Sequence, residues 1–522
     1  MRGDTVAAPA ARGAGTGEPE APVPIPVAAK AASADSGAVT AVSGGPGAAK
    51  AASGGSAATK AASAGSGGRW VGVGWGERAP WLLALLLFAA YTALSVLRYH
   101  RMETRSWDLG IFEQAIRGYA WLGAPIADLK GPGDNVLGDH FSPVTALIAP
   151  VYRVFPTPVT LLVVQAALFA LAAVPVARAA GRLLGRGKGL SVGAAFGLSW
   201  GMQRAVDFDF HEICFAVPLI AFSLEALLAR RWRAALLWAL PLVLVKEDLG
   251  VTLGAIALVT AWRARRDSRR AVWWALGAAA FGALAALLAF TVLIPAFNTA
   301  GGYDYWAKVD GGPTPLAGAE TKVRTLLWLL LPTTGLLALR SPLLLVAAPT
   351  IGWRFLSGDD HYWSTDWHYS AVLMPVLLLA LADAADITRR SPRPWLRRYA
   401  DGLPACAAAA ALALTPSLPL GALTESAAWR KPEKAVVAER ILDRIPDGAT
   451  VEANVGPISR LAGRCRVLWV GDSRGVTPDY IALNNGSGWV RDPYAYARRL
   501  HPKARYYLHG EGGGYLVLKR SG

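Results

Sequence analysis

The side chains best suited to chemistry fall in four short runs. The first is Trp107-Asp108-Leu109-Gly110-Ile111-Phe112-Glu113-Gln114, followed by Gly138-Asp139-His140-Phe141-Ser142-Pro143. Leu109, Phe112, Ile116 and Tyr119 recur at helical spacing, which predicts an amphipathic helix along a membrane surface with Asp108 at its N-terminus. A carboxylate there has two readings. It can cap free amides and favour the helix dipole. It can also act as a general base, a role that accounts for roughly 10²–10⁴ in rate. Glu113 is a second candidate carboxylate on this helix, and Asp139 and His140 are candidate binding groups.

The second run is Asp207-Phe208-Asp209-Phe210-His211-Glu212. As a helix, Asp207 and His211 share a face; extended, Asp207, Asp209 and His211 do. Either arrangement suits a divalent cation, with hard oxygen ligands and one nitrogen. A solvated loop is the bland alternative, although such a loop seldom needs two phenylalanines between its acids. Arg204 lies just upstream. The third run, Lys246-Glu247-Asp248, sits between two apolar stretches with almost no loop. Charges at that depth cost about 2.5–3.5 kcal/mol each, so they pair or line a polar cavity. One reading is a structural ion pair. The other is Lys246 on a phosphate, with Glu247 or Asp248 joining the acidic cluster. The fourth run spans Asp359-Asp360-His361-Tyr362-Trp363 to Asp366-Trp367-His368-Tyr369. Trp363 and Trp367 fit an interfacial aromatic belt. His361, His368 and Tyr369 are candidate binding residues, and 295–323, with Tyr303-Asp304-Tyr305-Trp306, is long enough to form a lid.

Positioning these runs requires membrane helices. Of the 522 residues, 53% are hydrophobic and 17% charged, against about 25% charged in soluble proteins. The apolar residues come in blocks of span length. Spans are expected at about 80–97, 157–177, 189–203, 213–229, 233–245, 248–262, 271–294, 324–339, 341–356, 369–387 and 402–420. The fold class is thus an α-helical polytopic membrane protein of about eleven transmembrane helices. Segment 142–154 is assigned to a short helix packed at the surface, because counting it as a span would invert every later loop.

Arginines cluster in loops two spans apart: Arg178, Arg182 and Arg186; Arg230, Arg231 and Arg233; Arg263 to Arg270; Arg340; and Arg389 to Arg398. Such loops share the cytoplasmic side. The N-terminus is then inside, and all four chemical runs face outward with the C-terminus. This loop distribution also turns the net charge of +16 away from nucleic acid as partner and toward the lipid bilayer.

Residues 1–68 are Ala, Gly, Ser and Pro with scattered lysines, and Ala28-Ala29-Lys30-Ala31-Ala32-Ser33 is echoed at 48–53 and 58–63. Without aromatics, burial cannot offset ordering entropy, so a disordered cytoplasmic tail is expected. Residues 80–420 form the helical domain. Residues 421–522 read as a small extracytoplasmic α/β domain. Its expected helices are 432–445 and 493–500, its expected strands 450–455, 466–470 and 480–483, and a hairpin pairs 504–509 with 515–519 around Gly512-Gly513-Gly514. Cys214, Cys406 and Cys465 show no metal or disulfide spacing. No phosphate-binding glycine loop, nucleophile elbow or helical zinc motif is present.

Taken together, 107–114, 138–143 with Ala149-Pro150-Val151-Tyr152, 209–218, Lys246-Glu247-Asp248, His368-Tyr369 with Pro375, and 451–470 with 478–482 resemble DUF family 2079, membrane proteins of unknown function. That family is distantly similar to the GT-C membrane glycosyltransferases, which carry a catalytic Asp in the first outer loop and often a second acidic motif in the next. The resemblance implies Asp108 and Asp207-x-Asp209 as the corresponding positions, a polyprenyl-phosphate sugar donor, and in some members a divalent metal. The expectation is therefore a sugar transferase in which Asp108 deprotonates an acceptor hydroxyl. Lys246, Arg204 or a cation (Mg or Mn) on Asp207, Asp209, His211 and Glu212 would stabilise the leaving phosphate. Two competing expectations are a transporter, against which no internal repeat is seen, and a non-catalytic envelope scaffold.

Overall fold

The computed structural model describes residues 75–305 and 317–521. The tail at 1–68 and part of the expected lid lie outside the described residues. The helices in chain order are α1 (Trp75–His100), α2 (Asp108–Ala120), α3 (Ala149–Val154), α4 (Pro158–Leu184), α5 (Arg186–Gly197), α6 (Trp200–Asp207), α7 (Ala216–Leu228), α8 (Trp232–Ala239), α9 (Leu249–Ala264), α10 (Arg269–Leu288), α11 (Ile294–Phe297), α12 (Ala319–Thr334), α13 (Ala348–Leu356), α14 (Leu373–Thr388) and α15 (Pro394–Leu414). After them come α16 (Glu433–Leu442), β1 (Thr450–Ala453), α17 (Val455–Leu461), β2 (Arg466–Trp469), β3 (Tyr480–Asn484), α18 (Pro493–Leu500), β4 (Tyr506–Gly512) and β5 (Tyr515–Arg520).

Among the described residues, four helical stretches are long and apolar enough to cross a membrane: Arg78–His100, Pro158–Leu184, Arg269–Phe297 and His368–Thr388. Four shorter apolar segments accompany them: Pro143–Val154, Trp232–Leu244, Leu249–Ala264 and Pro342–Leu356. The eleven expected spans are therefore not eleven unbroken helices. The expected span at 189–203 breaks at Leu198, and Ser199 starts α6 by accepting a hydrogen bond from the Met202 amide. The spans expected at 233–245 and 341–356 each contain a 3-10 stretch with a proline in its first turn, at Pro241 and Pro342, where the ring removes a backbone donor.

α4 and α14 form the middle of the bundle; the apolar window of α14 is 89% buried. α10 is peripheral, with Trp273, Phe281, Leu284 and Leu287 exposed, a surface that suits lipid rather than water. α9 and α10 cross closely because both carry glycine at the crossing. A Cβ on Gly250 would lie 2.5 Å from the Gly282 carbonyl oxygen, the small-residue packing typical of membrane helices.

The C-terminal region folds as a five-stranded sheet of order β2-β1-β3-β5-β4. β1 runs parallel to β2 and β3, and β5 is antiparallel to β3 and β4. The hairpin turns at Gly513 and Gly514, both at positive φ. The sequence pattern foresaw neither α17 nor the end of β1 at Ala453, because Val455 and Ile458 read equally well as strand. One sheet face packs with α16 and α17 against Ile111 and Ala115 of α2. The other face is covered by α18, through Ala497 and Leu500. The sheet thus rests on the helix that begins with Asp108.

Candidate functional site

Asp108 is the first helical residue of α2; the cap position belongs to Trp107, which makes no side-chain cap bond. The Asp108 amide donates to the Ser106 Oγ at 2.9 Å. Burial pushes the Asp108 carboxyl above its ordinary range, against the opposing pull of His211 and the Ser106 hydroxyl. A carboxylate made more basic by desolvation, at the head of a helix, suits proton abstraction better than capping.

Asp207 and Asp209 hold the loop that precedes Asp108. Asp207 pairs with Arg98 and, at 3.2 Å, with Arg105. Asp209 adopts φ 68, and its Oδ2 accepts from the Arg105 and Ser106 amides at 2.8 and 3.0 Å. Burial raises the Asp209 carboxyl to about 6 despite Arg98 and these amides. Gln165 supports the turn by donating to the Asp209 carbonyl and accepting from the His211 amide at 2.9 Å.

His211 and Glu212 turn the other way. Glu212 is fully buried, with His211 Nδ1 at 2.5 Å and Lys246 Nζ at 3.3 Å. Asp207 and Asp209 thus face Arg98, Arg105 and the 105–106 backbone while His211 and Glu212 face Lys246, and among the described residues no three of these four bring their donor atoms within 4.8 Å of one another. Asp207 and Glu212 lie within ion-pair distance of Arg98, Arg105, His211 and Lys246, while Asp209 accepts from backbone amides. Among the described residues, the three-residue group with donor atoms within 4.8 Å of one another is Asp359, Asp360 and His361, which is largely exposed.

Lys246 is the hub of a second set of pairs. Burial alone would lower its pKa, but Glu212, Glu247 and Asp248 outweigh that and keep the ammonium charged. Glu247 is buried, 2.8 Å from His140 Nδ1, and accepts from Tyr303 OH at 3.0 Å and the Phe141 amide at 3.1 Å. Asp139 pairs with Lys130 at 3.2 Å, and Lys130 Nζ lies 5.2 Å from the Trp107 ring centroid. His368 stacks on His211 with ring centroids 3.8 Å apart. Lys246, Asp248, His368 and Tyr369 line a small cavity with Thr350 and Trp353. Asp248 Oδ1, His368 Nδ1 and Trp353 Nε1 are buried there without a partner, so polar capacity is available to a ligand.

Three expected residues fall outside this assembly. Glu113 is fully buried, accepts from Tyr152 OH at 3.0 Å, and is raised to about 8 by burial. Its neighbours are Tyr152, Arg117 and Gly463, none of them in the Lys246 set. Arg204 lies 3.9 Å from exposed Asp366. His361 contacts Asp359 and Asp360 at 2.9 and 3.2 Å.

Sequence reasoning missed Arg98, Arg105, Lys130 and Arg354. Arg354 is completely buried and pins the 362–370 loop by donating to the Tyr362 and Ser364 carbonyls, each at 2.8 Å, and to the Ser370 hydroxyl at 3.2 Å. A signal existed for Arg98 and Arg105. With the basic loops assigned inside, arginines just after the first span run against the charge rule and need acidic partners.

The sequence model of the DUF2079 family, described as predicted membrane protein, matches residues 98–509. None of the curated proteins matches the sequence. Among solved structures, ArnT from Cupriavidus metallidurans bound to undecaprenyl phosphate superimposes with a TM-score of 0.51 at 14% identity, covering 83% of this chain and 97% of that one. The apo state of the same protein gives 0.50 at 12% identity with the same coverage. At such identity the likeness establishes the fold, and it accords with the GT-C-like architecture expected from the sequence. With four-fifths of its length matched, the chain belongs to the DUF2079 family of predicted membrane proteins.

Proposed function

We propose that the chain is a membrane glycosyltransferase that moves a sugar from a polyprenyl-phosphate donor to an acceptor on the extracytoplasmic face. The observation that carries this reading is the half-buried Asp108 carboxylate at the head of α2, within electrostatic reach of His211 and Glu212, with Lys246 paired to Glu212. The ArnT fold supports it, because one of those crystals holds undecaprenyl phosphate.

In the proposed reaction Asp108 takes the proton of an acceptor hydroxyl as its oxygen attacks the anomeric carbon. The bond from that carbon to the lipid phosphate breaks, and the phosphate leaves with the electron pair. Lys246, with the Trp353 and His368 ring nitrogens at the cavity, stabilises the charge that develops there. Glu247, through His140 and Tyr303, and Asp209, through the 105–106 backbone, are positioning residues.

The reading includes about eleven membrane crossings, the N-terminus inside, and the C-terminal sheet outside against the acceptor. The arginine distribution supports that orientation. The direct test is transfer from a panel of polyprenyl-phosphate sugars by purified protein. Wild type should transfer one of them, and Asp108→Asn should lose roughly 10²–10⁴ of the rate. Equal rates in the two proteins would overturn the assignment.

A further inference from the structure

The sheet face turned away from α2 carries a surface that the proposed transfer chemistry does not use. The segment 491–505 holds Arg491, Arg498, Arg499, Lys503 and Arg505, all exposed. No acidic side chain pairs with any of the five among the described residues. The one acid in the segment, Asp492, is occupied as the cap of α18, accepting from the Tyr494 and Ala495 amides at 2.9 Å each. Five unneutralised cations in fifteen residues form a strongly positive face that attracts an anionic partner.

Aromatic rings continue this face. Trp489 is 48% exposed, yet its ring is fixed: Nε1 donates to the Asn484 carbonyl at 3.0 Å. The Tyr496 ring packs edge-on to Trp489 at 5.3 Å, and the Arg499 guanidinium lies 5.1 Å from the Tyr496 centroid. Tyr494 is also exposed. The result is a row, Trp489–Tyr496–Arg499, of a flat apolar ring held in place and a cation beside it. A tryptophan held by its own indole N–H offers a face at little entropic cost on binding. The C–H face of a sugar ring fits such a platform, and arginine fits carboxylate or phosphate.

A lipid headgroup is the competing anionic surface, and the topology disfavours it. α2, the helix read as lying along the membrane, packs on the opposite face of the sheet, with α16 and α17. Among the described residues, the apolar cluster behind Ala497, Tyr496 and Leu500 includes none from a membrane helix.

We infer that the Trp489–Tyr496–Arg499 surface of the C-terminal sheet is a binding site for an anionic glycan, a sugar polymer carrying carboxylate or phosphate. The inference rests on the extracytoplasmic placement proposed above and names the acceptor class for that reaction.

The test uses the full chain in detergent micelles with three size-matched probes: polygalacturonate, neutral dextran and an RNA oligomer. Polygalacturonate should bind, weaken at higher salt, and bind at least tenfold more weakly to Trp489→Ala and to an R491Q/R498Q/R499Q triple variant. Dextran should bind no better to wild type than polygalacturonate does to the triple variant. Absence of polygalacturonate binding overturns the inference. So does tighter binding of RNA than of glycan, or binding that ignores Trp489→Ala and follows charge alone. Asp108→Asn separates the two proposals, because it should slow transfer by roughly 10²–10⁴ and leave glycan binding unchanged. Transfer without glycan binding would remove this surface and keep the enzyme.

Discussion

At the residue scale the chemistry turns on which carboxylates are kept basic and which are locked in pairs. Asp108 must be ionised to accept a proton, and burial raises its pKa above the ordinary 3.8. The acid limb of the pH–rate profile should therefore sit above the usual carboxylate range. An acid limb at about 4, measured as kcat/KM against pH, would show that the carboxylate is not desolvated in the working enzyme. Lys246 and Glu212 form a buried couple, so single and double variants should behave differently. Lys246→Met leaves Glu212 with less compensation for its charge, costing about 3–5 kcal/mol of stability. Adding Glu212→Gln to Lys246→Met should restore most of the denaturation midpoint while transfer stays lost. A double variant as unstable as the single one would argue against the couple. Asp209→Asn should slow transfer by weakening the hold on the Arg105 and Ser106 amides, a loss of about 1.5–3 kcal/mol shared between stability and rate. A non-catalytic scaffold predicts instead that both aspartate variants keep function.

At the scale of elements, α2 joins the membrane helices to the sheet. Its Gly110 leaves no room for a side chain, since a Cβ there would collide with Ile458 of α17 and approach Leu129 to 2.9 Å. Gly110→Val should cost about 1–3 kcal/mol by overpacking and speed proteolytic release of the sheet domain. Ile458→Ala should partly rescue it, because the two side chains compete for one space. Glu113, on the same helix, gives a pH-dependent prediction. Its carboxyl is raised from 4.5 to about 8 by burial, so between those values the folded state holds a proton that the unfolded state releases. Stability should then fall as pH rises from about 4.5 to about 8 and level off above that. Glu113→Gln, which keeps an acceptor for Tyr152 OH, should flatten this dependence and raise the melting temperature at pH 8. Parallel melting curves for the two proteins across that range would refute it.

At the scale of the whole molecule, the proposal depends on the side of the membrane that the sheet occupies. In the proposed topology the C-terminus lies outside. A C-terminal alkaline phosphatase fusion should be active and a C-terminal green fluorescent fusion dark. The reverse pattern would move Asp108 and Lys246 to the cytoplasm and remove the extracytoplasmic transfer with them. The helices break where prolines and Ser199 interrupt the ladder, so several apolar blocks read from composition do not form helices of span length. Among the described residues 4 helices are long and apolar enough to cross a membrane, fewer than the eleven apolar blocks in the sequence.

The sequence by itself determined the membrane class, the helix beginning at Asp108, the strands of the C-terminal sheet and the four polar runs; it did not show that this helix is buried against the sheet rather than spread along a surface. These are written in local periodicity and composition, which act through nearest neighbours along the chain. Only the tertiary structure decided the partners. It sent Asp207 and Asp209 to Arg98 and to the 105–106 backbone, turned His211 and Glu212 toward Lys246, and left Glu113 with Tyr152. Buried charges choose partners by proximity across helices far apart in sequence, and no spacing rule along one chain encodes that choice.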